Sequence, residues 1–206
     1  MLRALYVSTN NKVFNLEEIA LDIKKIRKDS LRNLTDEIGV YALCDLDRNP
    51  IYIGQSKDGI RTRVNRHLTS ARSDVIANRQ LDIWEICEVW AWPLEDKELI
   101  DELETHLINH YNTISPLVNG KLPAQTGTVP GIPEKQTVAI MTEEERALRL
   151  DPSRRLPRQM EHLTNLFSHI LEVKNNPEQR RMLRVHFNRT EQYYKKFMED
   201  SGETES

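Results

Sequence analysis

The sequence predicts an α+β fold, a small three-stranded antiparallel sheet flanked by helices, with an N-terminal helix before it and a helical hairpin after it. Three observations predict it. Residues 39–54, GVYALCDLDRNPIYIG, are two short apolar runs joined by a turn rich in Asp, Asn and Pro, the pattern of a β-hairpin. On both sides of that hairpin, apolar residues recur at three- and four-residue intervals, the period of amphipathic helices. After residue 120 the strand pattern gives way to a Pro- and Gly-rich stretch and then to two long helical repeats.

The elements follow in order. Residues 14–34, FNLEEIALDIKKIRKDSLRNL, set Leu16, Ile19, Ile23 and Ile26 on one helical face. In the hairpin, Val40, Ala42 and Cys44 point one way, and Tyr41 and Leu43 the other. DGIRTRVNRHLTSA reads as a helix whose buried stripe is Ile60, Val64 and Leu68. A short helix around SDVIANRQL takes Ser73 as its cap, and DIWEICEVWAWPL reads as the third strand. EDKELIDELETHLINHY is strongly helical, with Leu99, Ile100, Leu103, Leu107, Ile108 and Tyr111 on one arc. The order is β-β-α-α-β-α, closing near Asn119.

GKLPAQTGTVPGIPEKQ then reads as a linker or surface loop, and TEEERALRL as a short helix. Of the two longer helices, the first carries Met160, Leu163, Phe167 and Ile170 along one face. The second opens at NPEQ, where Asn176 caps and Pro177 suits the first turn, and spaces Leu183, Phe187, Thr190, Tyr194 and Phe197 by four and three. These faces predict a seam that closes the hairpin. The end, EDSGETES, reads as a disordered tail.

Composition narrows the function. Hydrophobic residues make up 38% and charged residues 30%, so the chain is globular, and no run approaches a membrane span or a signal peptide. Cys44 and Cys87, the two cysteines, sit in apolar strand-like runs, which reads as buried thiols in a reducing, cytoplasmic compartment. The net charge of −3 conceals a segregation. Residues 54–80 hold six basic against two acidic residues, 84–104 one against eight, and 154–196 ten against four. Two basic patches suit a polyanionic partner or a solvated surface.

Within this plan a few residues carry chemistry. Tyr41 and Tyr52 sit at nearly mirror-image positions on the hairpin, either as good strand formers or as two phenols aimed at one site. Glu104 falls inside the apolar arc of its helix, while Asp101 and Glu102 lie on the polar side. By spacing alone it reads as an acid at the edge of the stripe that reaches water. Arg63 and His67, four apart, share one helix face, as a surface pair or as a phosphate grip beside a proton carrier. His106 and His110 share a face too, and read as structural. GQSKDG has the spacing of no known phosphate-binding loop.

Taken in order, these residues resemble the GIY-YIG nucleases. GVY at 39–41 stands for the first element and YIG at 52–54 matches the second letter for letter; Val40 for isoleucine is the main departure. RVNRH supplies the helix arginine at Arg63 with a histidine one turn later. ETHLINHY places Glu104 at the family's metal-binding glutamate, and PLVN ends with Asn119 at the family's asparagine. The resemblance covers roughly residues 37–120 and is closest to the restriction-endonuclease branch.

The resemblance implies a divalent-metal-dependent endonuclease on double-stranded DNA. Glu104 is its implied ligand for Mg²⁺, with Mn²⁺ as a substitute. Tyr41 or a metal-linked water network takes the proton of the attacking water with help from His67, and Tyr52 orients the water or the phosphate. Arg63 neutralises charge in the transition state, and Asn119 braces the site. Lys57, Arg61, Arg66, Arg180, Arg181 and Arg184 are the expected DNA contacts. The domain plan is an extension at 1–36, the catalytic domain at 37–120, a linker at 121–141, and a helical segment at 142–199. That segment binds DNA, pairs two protomers, or only folds back on the core; residues 200–206 are the tail. A site-specific restriction or phage-defence role leads. A structure-specific repair or mobile-element nuclease, and a non-catalytic DNA-binding module, are the alternatives.

Overall fold

The computed structural model describes residues 6–9, 12–70, 73–124 and 131–200, with side-chain environments from Ile23 onward except at Asp74. The tail at 201–206 and the side chains of Leu16 and Ile19 lie outside that range. Strands β1 (Tyr6–Thr9) and β2 (Lys12–Asn15) pair as a small hairpin ahead of helix α1 (Leu16–Ser30). There follow β3 (Gly39–Cys44), β4 (Pro50–Ser56), α2 (Ile60–Thr69), α3 (Asp74–Ala77), β5 (Glu88–Pro93) and α4 (Ile100–Ile114). The chain ends with β6 (Gln136–Ala139), α5 (Glu143–Leu150), α6 (Pro152–Glu172) and α7 (Pro177–Asp200).

The main sheet is antiparallel throughout, in the order β4-β3-β5-β6. All six residues of β3 are buried, as its inner position requires. The pleat divides them as the sequence predicts. Val40, Ala42 and Cys44 pack with Ile53, Trp92 and the α4 residues Ile100, Leu103 and Leu107. Tyr41 and Leu43 face the other way, toward Ile60, Val64 and Leu68 of α2. Both cysteines are free and buried, and burial pushes the Cys87 thiol up to about 12.

Three expectations need correction. The sheet has four strands, because β6 lies within the stretch read as linker; at four residues, with Val138 its buried one, it is too short to show a period. The third strand is shorter than expected. Residues Ile83–Glu85 form a 3₁₀ turn instead, capped by Asp82, whose side chain accepts from the Trp84 amide.

The third correction concerns the helical hairpin. Most of the stripe expected as its seam faces outward: Met160, Phe167, Phe187, Tyr194 and Phe197 are exposed, Leu163 and Leu183 are half-buried, and Ile170 and Thr190 are buried. The inward face carries Arg155, Gln159, His162 and Leu166 on α6, and Gln179, Met182, Val185, His186 and Arg189 on α7. Acids on the sheet domain draw the polar face inward. Arg155 meets Glu85 at 3.0 Å and Asp47 at 2.7 Å, Arg158 meets Asp82 at 2.7 Å, and Arg189 pairs with the buried Asp45. Periodicity finds an apolar face; it does not say which face is covered.

Candidate active site

The site is built on the outer strand β4 and its neighbour β3. Tyr41 stands opposite Gly54, and Leu43 opposite Tyr52, so the two tyrosines are diagonal neighbours on one face of the sheet. Their ring centroids are 6.3 Å apart. The glycine makes this possible: a Cβ on Gly54 would lie 2.6 Å from the Tyr41 hydroxyl oxygen and 2.9 Å from the Tyr52 ring. Gly39, at φ +146°, is equally constrained, since a Cβ there would come within 2.2 Å of the Trp92 carbonyl. Gly54 is a steric requirement of the tyrosine face, and Gly39 of the close approach of the β5 backbone.

Helix α2 brings His67 to the same face. Its Nε2 lies 2.7 Å from the Tyr41 hydroxyl, and its Nδ1 lies 2.6 Å from Ser73 Oγ. Its ring centroid is 5.9 Å from that of Tyr41 and 6.0 Å from that of Tyr52. Tyr41 and His67 are fully buried and Tyr52 is half-buried, so Tyr52 is the more exposed of the two phenols. The half-buried Arg63 sits one turn before His67 on the same helix face. The start of α2 is fixed by Asp36, which accepts from the Thr62 amide at 3.0 Å and from Arg61 at 3.3 Å.

Glu104 reaches β4 from the opposite face of the sheet. Gln55, one residue past the YIG motif, donates its amide to Glu104 at 2.9 Å and to Asp101 at 2.7 Å. Lys57 adds a contact to Asp101 at 3.0 Å. Burial raises the Glu104 carboxyl above its ordinary range, with Gln55 opposing and Asp101 reinforcing the shift. The two groups, phenols with histidine and paired carboxylates, therefore flank β4 from opposite sides. The remaining edge of β4 is the one away from β3.

Asn119 closes that side. Its Oδ1 accepts from the Ile53 amide at 3.1 Å and its Nδ2 donates to the Ile53 carbonyl at 2.7 Å, so one side chain replaces a strand's ladder bonds. Arg181 of α7 holds the Asn119 segment in turn, donating to the carbonyls of Leu117 at 2.9 Å and of Asn119.

The structure thus brings Tyr41, Tyr52 and His67 together, sets Glu104 across β4, and makes Asn119 a brace for the strand. Of the expected DNA contacts, Arg66 is exposed, Lys57 and Arg61 are engaged with Asp101 and Asp36, and Arg181 is committed to backbone carbonyls inside the fold. Arg180 and Arg184 lie on the outer face of the hairpin. Sequence reasoning missed Gln55 entirely and read Ser73 only as a helix cap. Gln55's place directly after the motif was the one available signal.

A divalent ion suits the carboxylates. Among the described residues no three His, Cys, Asp or Glu side chains group as a metal cage. Glu104 and Asp101 are nonetheless joined by a single amide, and Gln55 Oε1 is buried without a partner. One or two carboxylates with water completing the shell is how Mg²⁺ is commonly held.

No curated protein and no solved structure matches the chain. Residues 37–117 match the family model of the GIY-YIG catalytic domain, a stretch that contains Tyr41, Tyr52, Arg63, His67 and Glu104 and ends two residues short of Asn119.

Proposed function

We propose that the chain is a divalent-metal-dependent endonuclease that hydrolyses phosphodiester bonds of double-stranded DNA, of the site-specific restriction or phage-defence kind. The hydrogen-bonded run from Tyr41 through His67 to Ser73, beside the half-open Tyr52, carries the reading. A buried histidine fixed at both nitrogens is arranged to move a proton, which a strand-forming tyrosine pair has no use for. In the tautomer with its proton on Nδ1, His67 donates to Ser73 and accepts from the Tyr41 hydroxyl at Nε2.

In this reading Tyr52 meets the scissile phosphate and its attacking water, and Tyr41 with His67 carries the proton away from the site. Arg63 neutralises the charge that builds on the phosphate. Glu104 and Asp101 would hold the ion, which when bound supplies charge neutralisation at the leaving oxygen. Lys57, Arg61 and Arg66 line the approach for the DNA backbone. Residues 37–120 act as the catalytic unit. The helical segment 142–199 acts as its buttress, riveted through Arg155, Arg158, Arg181 and Arg189.

Incubation of supercoiled plasmid with Mg²⁺ or Mn²⁺ tests the proposal. Discrete fragments support it, preference for branched substrates moves the protein to repair, and absence of nicking with retained binding makes it a non-catalytic module.

A further inference from the structure

The helical hairpin turns Arg155, Arg158 and Arg189 inward on the sheet domain and leaves several large apolar residues outward. Met160, Leu163 and Phe167 on α6, with Leu183 and Phe187 on α7, line a groove of about 630 Å³ along the outside of the pair. Met160 is 56%, Phe167 52% and Phe187 61% exposed, and Leu171 continues the stripe at 67%. Scattered apolar residues on a surface need no explanation, but a contiguous stripe over two helices marks a surface that is covered in use.

We infer that this face is the interface between two copies of the chain, packed hairpin against hairpin. The area is sufficient. At ~200 Å² for a large side chain, five such residues about half exposed (Met160, Phe167, Leu171, Phe187 and Tyr194) contribute roughly 500 Å². Leu163, Leu183 and the stems of Arg180 and Arg184 carry the patch toward the ~800 Å² per partner of a stable complex.

The charges fit a copy of itself. Along α7, positions 180, 184, 187, 191 and 194 alternate by four and three and share one face. Two such helices laid antiparallel and centred on Phe187 set Phe187 against its copy. The same register places Arg180 over the ring of Tyr194 of the copy, and Arg184 beside Glu191 of the copy. An isologous pairing therefore gives Arg180 and Arg184 partners on the copy, beside the Asn175 that Arg180 meets at 2.7 Å and the Lys195 that Glu191 meets at 2.9 Å within the chain. It also places two sites in one particle, one way to cleave both strands at one place; the interface itself does not depend on the nuclease reading.

Sedimentation velocity on the full chain without DNA tests the inference. A dimer at micromolar concentration is expected. Phe187→Glu should give a monomer with an unchanged circular-dichroism spectrum and melting temperature, because the residue is exposed in the single chain. Arg184→Glu should weaken the dimer about tenfold or more, and the exchange Arg184→Glu with Glu191→Arg should restore it. A wild-type chain that stays monomeric at high concentration, or a Phe187→Glu variant that stays dimeric, overturns the inference. Failure to cleave DNA by a chain that dimerises in this way overturns only the nuclease reading.

Discussion

Tyr41 and His67 lie 26 residues apart in sequence and are joined by a 2.7 Å hydrogen bond in the interior. Replacing Tyr41 with phenylalanine removes only the hydroxyl, so the ring keeps its place against Tyr52. The expected stability loss is the value of one buried hydrogen bond, about 1 kcal/mol. The cleavage rate should fall by about a hundredfold or more, as for removal of a general acid–base group. Thermal melting and plasmid nicking measured together check this. A variant that melts near wild type and still cuts at full rate would remove Tyr41 from the chemistry.

Glu104 is a carboxylate held where burial disfavours its charge. Its folded pKa is raised above the unfolded value, so the ionised form costs stability at neutral pH, and that cost disappears as pH falls below the unfolded value. Glu104→Gln should therefore melt at or above the wild-type temperature while binding of Mn²⁺ is lost. Glu102→Ala, on the solvent side of the same helix, should bind metal and cut normally. Metal affinity of the wild type should begin to fall on acidification above the ordinary glutamate range, measured by calorimetry without DNA. Equal behaviour of the two variants would place the metal elsewhere.

Asn119 holds the outer side of β4, and Arg181 holds Asn119. Asn119→Ala leaves the Ile53 amide and carbonyl without their partners, at a cost of about 1–3 kcal/mol. Arg181→Ala should lower activity without changing the salt slope of DNA binding, because its guanidinium is turned to backbone carbonyls rather than to solvent. A slope reduced by about one unit would make it a phosphate contact after all.

His186 is buried against Gln80, its Nε2 3.0 Å from the carbonyl, and burial lowers its pKa to about 3. Stability from this group is full above the unfolded histidine value and is lost as pH falls from there toward the folded value. The wild type should lose stability on acidification from about pH 6.5. His186→Gln, which keeps a donor for Gln80, should flatten that branch in denaturation curves between pH 6.5 and 4. An unchanged acid branch would show that other groups set it.

Much of the catalytic half was legible because strands and helices here announce themselves by period. The alternation around Tyr41, the stripe of Ile60, Val64 and Leu68, and the odd placement of Glu104 all survive in the structure. Gln55 and Ser73 were not legible, since their roles depend on how α4 and α2 dock rather than on their own neighbours in sequence. The hairpin misled for a physical reason. Its apolar stripe was real, but Asp45, Asp82 and Glu85, seventy residues or more away, decided which side turned inward. A β-strand of four residues leaves too little pattern to separate it from a loop.

The pairing of Arg189 with Asp45 spans 144 positions of the chain. On a ribosome making roughly 5–20 residues per second, the acid emerges on the order of ten seconds before its arginine. Glu85 and Asp82 wait similarly, for Arg155 and Arg158. A buried acid without its cation costs about 3–5 kcal/mol, comparable to the net stability of a small domain. The same helices that cover Asp45, Glu85 and Asp82 carry their cations, so burial and neutralisation arrive together, after both tyrosines have been translated. The helices that neutralise these acids are thus made only after every strand of the sheet they lock.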